Sequence, residues 1–410
     1  MEYKNKVSVV NTMIGSGKTS AAINYINSST EDERFIVITS CPSEVERYWR
    51  ECPEKNFEKL CNENGKSKGL RKNVENLRIQ IENGNNIVTS HTFLQEFDKD
   101  IMTMCEEKNY TLILDEITNI IKKHPTTKSD LRILQEFMNI DNVTGLMSWK
   151  EDQSDYTGVF INYKRLCDIG ACTYYDEKYS FMWLFPTKVI NCFHRVFILT
   201  YMFEVQPQKY YYDYSGLDYS FIGITYENEK YQFSENPAQK FSLNADLIHV
   251  LESANMNCVG DSSKSLSQAW FQKNKGSLNM KQLKRNISNF FRHVRDTKSN
   301  DVIWTTFGGA EDLLKGGGYS KGYITLGSRA TNDYQDRTSV AYIANCYMDP
   351  LAKRFFKVHK IEVDEDKYAL SEMLQFIWRS AIRRGNEIWV YVPSARMRTL
   401  LENWIEENSK

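Results

Sequence analysis

The 410-residue chain lacks an apolar run long enough to cross a membrane. A spanning helix needs about 20 consecutive apolar residues, and the sequence has no run of that length. Its polar first residues, with Glu2, Lys4 and Lys6, also differ from a secretory signal. We therefore expect no membrane partner and predict a cytoplasmic protein, in the host cytoplasm if the source is viral.

Metal-binding and nucleophilic patterns are lacking as well. The nine cysteines are scattered singly, without the C-x-x-C spacing that closes many zinc sites. The six histidines are too far apart in sequence to form a ligand pair on one helix, and no Gly-x-Ser-x-Gly elbow accompanies them. We expect reduced thiols that mostly pack in the core, no metal cluster and no serine- or zinc-hydrolase chemistry.

The sequence also lacks an overall excess of positive charge. Lys and Arg number 52 against 53 Asp and Glu, which gives a net charge of −1 and excludes a surface that is basic all over. Basic residues nevertheless concentrate between residues 264 and 298, among them Lys281, Lys284 and Arg285. This patch predicts salt-sensitive binding of nucleic acid, although a run of charge is as often a solvated face.

The chain does contain short apolar runs that alternate with helical stretches, the pattern of parallel sheets with crossover helices. Strands are predicted at residues 7–10, 35–39, 86–89, 111–114, 196–199, 302–306, 322–326, 340–345 and 387–392, and helices at 280–295, 370–384 and 395–406. We predict an α/β fold of two parallel-sheet lobes, residues 1–205 and 206–410. A helical or irregular insertion is expected at about 117–195.

The first predicted strand is followed by a candidate phosphate site. Residues 12–19 read Thr-Met-Ile-Gly-Ser-Gly-Lys-Thr and precede a helix-forming stretch. In a P-loop the glycines turn backbone N–H groups toward phosphates, and the helix N-terminus adds partial positive charge. Lys18 would reach the β- and γ-phosphates and Thr19 would bind Mg²⁺. The residues expected to bind nucleotide are Gly15, Ser16, Gly17, Lys18, Thr19 and Ser20.

A second motif supplies the acids that such a site needs. Residues 112–116 read Leu-Ile-Leu-Asp-Glu, an apolar strand that ends in two carboxylates. Asp115 would hold Mg²⁺, and Glu116 would be the catalytic base that orients the attacking water. Alone, such a strand end is often only solvated. Together with the P-loop it predicts hydrolysis of ATP with Mg²⁺ as cofactor.

These two motifs resemble motifs I and II of the superfamily 2 helicases, the group that contains the DEAD and DEAH families. The resemblance implies two RecA-like lobes with the ATP site in the cleft between them and nucleic acid across both. Further runs follow in the family's order at residues 38–42, 89–92, 199–202, 302–307 and 327–332. The nucleic-acid contacts implied are Ser40, Ser90, His91 and Thr306. We expect Trp304 in the core, with base stacking as the alternative.

Residues 375–383 resemble motif VI, which in the family carries arginines that reach the γ-phosphate when the cleft closes. On one continuous helix Arg379 and Arg383 are four residues apart and share a face, with Gln375 one turn earlier. We expect all three to act in catalysis, and the register leaves Arg384 open as the arginine finger. An amphipathic helix with solvated arginines is the alternative.

The leading hypothesis is a monomeric helicase or translocase that uses ATP and Mg²⁺. It would act on DNA rather than RNA, in replication or recombination, with replication proteins as candidate partners. Its compact size and its composition rich in Asn and Lys resemble helicases of bacteriophages or mobile elements. Two alternatives stay open: a ring-forming viral DNA-packaging ATPase, and a nucleotide-dependent loader or switch.

Overall fold

The computed structural model describes residues 7–60, 70–90, 93–94, 97–116, 120–124, 126–174, 181–236, 245–327 and 334–409. The chain divides into two compact units. The first comprises Met1–Thr12, Ser16–Gln239 and Asp349–Val363, and the second comprises Met13–Gly15, Lys240–Met348 and Asp364–Lys410. The division therefore comes later than the predicted boundary at 205/206.

The strands are β1 (Val7–Asn11), β2 (Arg34–Thr39), β3 (Glu58–Lys59), β4 (Ile87–Ser90), β5 (Tyr110–Asp115), β6 (Ile121–Lys123), β7 (Met138–Ile140), β8 (Met147–Trp149), β9 (Cys172–Thr173), β10 (Met182–Leu184), β11 (Arg195–Thr200), β12 (Ser220–Glu227), β13 (Lys230–Ser234), β14 (Ile248–Val250), β15 (Val302–Thr305), β16 (Ser339–Tyr342) and β17 (Ile388–Tyr391).

The helices are α1 (Lys18–Ser28), α2 (Pro42–Glu51), α3 (Leu70–Glu82), α4 (Lys99–Glu107), α5 (Lys128–Phe137), α6 (Ile161–Asp168), α7 (Thr187–Ile190), α8 (Pro207–Ser215), α9 (Ala254–Asn257), α10 (Gln268–Lys273), α11 (Leu278–Asn289), α12 (Glu311–Leu314), α13 (Pro350–Val358), α14 (Glu365–Ile377) and α15 (Ala395–Asn408). None of the helices within the described ranges is long and apolar enough to cross a membrane.

The first unit is built on a sheet of order β13-β12-β1-β11-β5-β2-β4-β3. All neighbouring pairs are parallel except β12 with β13. Its central strands are almost entirely buried and mostly apolar, as expected for a parallel sheet covered on both faces. Helix α1 packs there through Ala21, Ala22, Ile23 and Ile26. Parallel pairing brings the carboxyl ends of β1, β5 and β11 to one edge.

Between β5 and β11 the chain forms an insertion with helices α5, α6 and α7, as the sequence predicts. It also contains two small antiparallel sheets, β6-β10-β9 and β7-β8, which are too short to leave a clear alternation in the sequence. Aromatic rings fill the space beside β8: Phe137 stacks on Trp149 with centroids 5.5 Å apart, and Tyr156 contacts both.

Helix α13 belongs to the first unit although it follows the second unit's strands in sequence. It packs on α8, where Phe355 meets Tyr211 and Phe356 meets Tyr210, with ring centroids 5.9 and 5.7 Å apart. His359, which follows the helix, lies 4.5 Å from Tyr214. The tyrosine-rich stretch of α8 therefore forms part of the first unit's core.

The second unit contains a four-stranded parallel sheet of order β14-β17-β16-β15. Trp304 on β15 is fully buried and donates from Nε1 to the carbonyl of Tyr319 at 3.0 Å. Its ring also packs against Tyr319 and Tyr323. Trp304 is thus a core residue, as expected, and the base-stacking alternative is wrong.

The predicted α/β fold of two parallel-sheet lobes is confirmed, and so are most of the predicted strands. Residues 322–326 are the exception, because after a 3₁₀ turn at Ser320–Gly322 only a single bridge joins Tyr323 to Trp304. The helix predicted at 280–295 is α11, prolonged by a π-helical turn at Phe290–Val294. The helix predicted at 370–384 ends early, at Ile377.

Candidate functional site

The loop after β1 has the backbone that a phosphate site requires. Gly15 and Gly17 have φ angles of 82° and 91°, in the left-handed region that glycine adopts at little cost. Helix α1 begins immediately afterwards at Lys18 with Gly17 as its N-cap. Because Gly17 has no side chain to cap the first turn, the N–H groups there can serve an anion.

Hydrogen bonds inside the loop hold it closed on itself. The Lys18 ammonium donates to the carbonyl of Thr12 at 2.8 Å, and the hydroxyls of Thr12 and Ser16 lie 2.8 Å apart. The Thr12 N–H donates to the carbonyl of Thr200 at the end of β11, at 3.2 Å. The lysine is therefore folded over the loop, where a phosphate oxygen could replace the carbonyl as its acceptor.

The first helical turn is joined directly to the carboxyl end of β5. The Thr19 hydroxyl donates to Oδ2 of Asp115 at 2.9 Å, and the Tyr48 hydroxyl of α2 donates to the same oxygen at 3.0 Å. The pattern of the sequence predicted both Thr19 and Asp115. It did not indicate Tyr48, which is 67 positions away and comes to the site only because α2 folds onto the sheet.

Asp115 carries an electrostatic cost. Burial, together with the negative charges of Glu116 and Glu44, raises the pKa of its carboxyl to about 7. The hydrogen bonds from Thr19 and Tyr48 act in the opposite direction. A carboxylate that is 5% exposed and surrounded by like charge attracts a cation. A divalent cation bound by oxygen ligands would offset this cost.

Glu116 is held in an unusual backbone conformation. Its φ of 80° lies in the left-handed region, which a non-glycine residue adopts only when its surroundings fix it. Its N–H donates to the carbonyl of Leu199 at 3.1 Å, and the Ser40 hydroxyl donates to its Oε2 at 3.0 Å. The two strands that flank β5 thus supply both contacts, one from β11 and one from the residue after β2.

The remaining first-unit residues of the prediction lie close to this edge. Ser90 ends β4 and pairs with Thr39 of β2, which in turn pairs with Asp115. The Ser20 hydroxyl accepts a hydrogen bond from the Arg47 guanidinium at 2.8 Å. His91 lies outside the described residues, as do positions 328–332 of the motif V resemblance.

Thr306 does not fit the role that the sequence suggested. The side chain is fully buried after β15, and its hydroxyl is without a hydrogen-bond partner among the described residues. Contact with a nucleic-acid strand would need this region of the second unit to rearrange. We therefore leave Thr306 out of the candidate strand-contacting residues.

Gln375, Arg379 and Arg383 do not lie on one helix, and that expectation is wrong. Helix α14 carries Gln375 but ends at Ile377, and Ser380 is extended with φ −83° and ψ −171°. The chain then forms a separate 3₁₀ turn at Ala381–Arg384, whose first N–H donates to the carbonyl of Arg337 at 2.8 Å. Burial of Trp378, Ala381 and Ile382 stabilises this bend, and the residue spacing gave no signal of it.

The three arginines of this stretch consequently differ in surroundings. Arg379 is buried, at 8% exposure, whereas Arg383 and Arg384 are exposed. Arg384 pairs with Asp336 and donates to Gln335. Arg383 lies beside Gly15, which is grouped with the same unit: a Cβ added to Gly15 would be 3.1 Å from Cγ and 3.2 Å from Nε of Arg383. Of the three, Arg383 is the one next to Gly15.

In the part of the chain that the structure describes, no cluster of three or more His, Cys, Asp or Glu side chains could hold a metal ion by itself. Thr19 and Asp115 fit Mg²⁺ in another way. This ion prefers oxygen ligands and usually keeps several waters, with only one or two ligands from the protein and others from substrate phosphates.

Comparison of the backbone with solved structures found limited similarity. The structure of S. tokodaii Xpd4 matches with a TM-score of 0.44 and 8% identity, over 97% of this chain and 94% of that one. A DEAD box protein from the hyperthermophile Methanococcus jannaschii matches with a TM-score of 0.33 and 14% identity, over 98% and 86%.

Sequence comparison gives a closer relationship. Residues 242–405 match the family model described as the YonV C-terminal Rossmann-like domain, which begins close to the division between the two units. The SPbeta prophage-derived protein YonV of Bacillus subtilis (strain 168) is 35% identical over 411 residues, which covers 98% of this chain and 99% of that protein. The chain belongs to the YonV family.

Proposed function

We propose that the protein is a P-loop ATPase that uses Mg²⁺ and couples hydrolysis to movement along nucleic acid. The observation that carries the proposal is the hydrogen bond of 2.9 Å between the Thr19 hydroxyl and the Asp115 carboxylate. It joins the end of the glycine loop to the acid-bearing end of β5. A nucleotide triphosphatase needs this pair of ligands on one Mg²⁺ beside the bound phosphates.

Each side chain of the site has a distinct task in this proposal. The N–H groups of residues 15–20 and the Lys18 ammonium bind the phosphates and neutralise their charge. Thr19 and Asp115 hold Mg²⁺, which would stabilise charge that develops on the phosphate oxygens. The Glu116 carboxylate orients a water for in-line attack and accepts its proton. Its fixed backbone aims the carboxylate before substrate arrives.

An arginine of residues 375–384 also takes part in catalysis in this proposal. Arg383 is the favoured finger because it is exposed and lies beside Gly15. A guanidinium is permanently charged and can stabilise the negative charge that builds up in phosphoryl transfer. Arg384, which pairs with Asp336, is the alternative. Gln375 on α14 and Arg379, which follows the end of that helix, are proposed to assist Arg383 in catalysis.

A nucleic-acid partner, DNA rather than RNA, is the finer part of the proposal. Ser40, Ser90 and His91 are the candidate contacts with the strand's phosphates. The hydrogen bond of 3.0 Å from Ser40 to Glu116 supports a coupling between them and catalysis. A phosphate that draws the Ser40 hydroxyl away would remove this hydrogen bond from the Glu116 carboxylate. Stimulation of hydrolysis by nucleic acid is expected from this arrangement.

The test is steady-state ATP hydrolysis by the full chain, with and without single-stranded DNA, single-stranded RNA and duplex. Lys18→Ala should lower the rate at least about a hundredfold, because it removes the charge on the β- and γ-phosphates. Lys59→Ala is the matched control: Lys59 lies on β3, at the far end of the sheet, and pairs with Glu46. Full activity of the Lys18 variant would refute the proposal.

The nucleic-acid arms of the same assay separate the alternatives. Stimulation of a monomer by single-stranded DNA is expected for a translocase, with magnesium chelation abolishing the rate. A stable ring in solution would instead favour a packaging motor. Slow hydrolysis that no nucleic acid accelerates would favour a loader or switch and would refute the coupling through Ser40.

A further inference from the structure

The hairpin formed by β12 and β13 rises beside the phosphate loop. Strand β12 runs parallel to β1, with Ser8 opposite Ser220 and Val10 opposite Ile222. Strand β1 ends at Asn11, whereas β12 continues to Glu227. The last four residues of β12 therefore project about 13 Å beyond the end of β1, at about 3.3 Å per residue. This projection lies at the edge of the sheet where the loop begins.

The hairpin has a tight and rigid end. Asn228 and Glu229, the two turn residues, have φ angles of 50° and 63°. Two consecutive left-handed residues are typical of the type I′ turn, whose twist matches that of the strands. The turn fixes the register, so Glu227 pairs with Lys230 and Tyr226 with Tyr231. The two tyrosines consequently project on the same face.

This tyrosine pair consists of one anchored ring and one exposed ring. Tyr231 packs on the core cluster of the first unit and lies directly against the loop: a Cβ added to Gly17 would be 2.4 Å from its Cδ1 atom. Only glycine at position 17 lets the ring approach so closely. Tyr226 is 60% exposed, with its ring centroid 4.7 Å from that of Tyr231. A large, exposed aromatic face is thus held next to the phosphate loop.

The direction in which a bound nucleotide must run brings its base to the side of the loop where this aromatic face lies. In the sheet order, β11 and β5 lie on one side of β1 and β12 lies on the other. Under the proposed function the γ-phosphate points toward Asp115, the last residue of β5, and toward Glu116, which follows it. The nucleoside at the opposite end of the triphosphate must then leave the loop on the side of β12, where the tyrosine pair lies.

We propose that the exposed ring of Tyr226 stacks on the base of the bound nucleotide, with Tyr231 as the positioning residue behind it. The inference rests on the proposed function and adds a base-binding subsite to it. Stacking uses the π-face that every base has, so it is tolerant of base identity. ATP and GTP should therefore bind with similar affinity through this subsite.

The decisive comparison is between a ligand with a base and one without. Binding of ATP and of inorganic tripolyphosphate to the full chain is measured by calorimetry for the wild type, Tyr226→Ala, Tyr226→Leu and Tyr226→Phe. The Ala and Leu variants should bind ATP about tenfold more weakly, the typical loss for one stacked ring. Tripolyphosphate binding should stay the same, and Tyr226→Phe should resemble the wild type.

Three results would overturn the inference. Unchanged ATP affinity in the Ala and Leu variants would show that no base rests on this ring. An equal loss for ATP and tripolyphosphate would show that the hairpin merely supports the loop, and thermal unfolding of each variant checks that role directly. A wild-type chain that binds neither ligand would refute the proposed function itself, and the base subsite with it.

Discussion

The carboxyl ends of strand β5 in the first sheet and strand β15 in the second differ in how they hold polar groups. In the first unit, Thr19, Tyr48 and Asp115 form a hydrogen-bonded chain around a buried carboxylate. In the second unit, Thr305 at the end of β15 and Thr306 after it are fully buried, and their hydroxyls are without hydrogen-bond partners among the described residues. The same architecture thus supports a charged site in one unit and a packed edge in the other.

This difference indicates that the end of β5 serves function, whereas the end of β15 serves stability. The first edge gathers negative charge that burial disfavours, which is tolerable when a cation and phosphates bind there. The second edge is closed by large rings such as Trp304 and Tyr342. Substitutions should therefore trade stability for activity at the end of β5 and affect mainly stability at the end of β15.

The largest effect is expected from Trp304→Ala. Removal of this fully buried ring leaves a cavity and an unpaired Tyr319 carbonyl, and should lower the free energy of unfolding by about 3–5 kcal/mol. Urea unfolding followed by fluorescence measures the loss. Trp49→Ala is the control, because Trp49 is 47% exposed and should lose about 1 kcal/mol or less. Equal losses would contradict the contrast between packed and exposed rings.

A medium effect of opposite sign is expected from Asp115→Asn. The folded-state pKa of about 7 exceeds the ordinary value for Asp. The folded chain then binds a proton more tightly than the unfolded one, so its stability should fall as the pH rises from about 4 to 7. The Asn variant lacks this loss and should be more stable by about 1–3 kcal/mol at pH 8, while its ATP hydrolysis is abolished.

Thermal unfolding between pH 4 and 8, without Mg²⁺, tests this prediction. The advantage of the Asn variant should shrink toward pH 4, where the wild-type carboxyl is protonated in both states. An advantage that is constant across the range would mean that the charge of Asp115 is not its cause. Mg²⁺ together with ATP should stabilise only the wild type at pH 8.

The smallest effect is expected from Thr306→Val. Valine has nearly the same shape and removes a buried hydroxyl that lacks a partner, so stability should rise by up to about 1 kcal/mol. Binding of single-stranded DNA should not change, because the side chain is inaccessible. Weaker DNA binding in this variant, measured by fluorescence anisotropy, would restore Thr306 as a contact residue.

The sequence predicted well what neighbouring residues determine. Glycines at positions 15 and 17, a strand before them and a helix after them identify the loop without any long-range information. The same holds for Asp115 at the end of an apolar run. Tyr48 and the bond between Ser40 and Glu116 could not be predicted, because they depend on how distant segments pack.

The errors have similar causes. Apolar residues continue at helical spacing through Trp378, Ala381 and Ile382, so periodicity alone extends α14 past its real end at Ile377. The predicted boundary at 205/206 precedes β12, whose apolar residues add another strand to the first sheet. The apolar residues Phe221, Ile222 and Ile224 are the sequence signal of that strand.

Helix α13 has a consequence for how these units can be inherited or separated. A fragment that begins at Lys240 would keep α13 but lose α8, and would expose the rings of Phe355 and Phe356. A fragment that ends at Gln239 would leave Tyr211 and Tyr214 uncovered by those rings. Neither half is a portable module, so gene rearrangements that preserve the fold must exchange both units together.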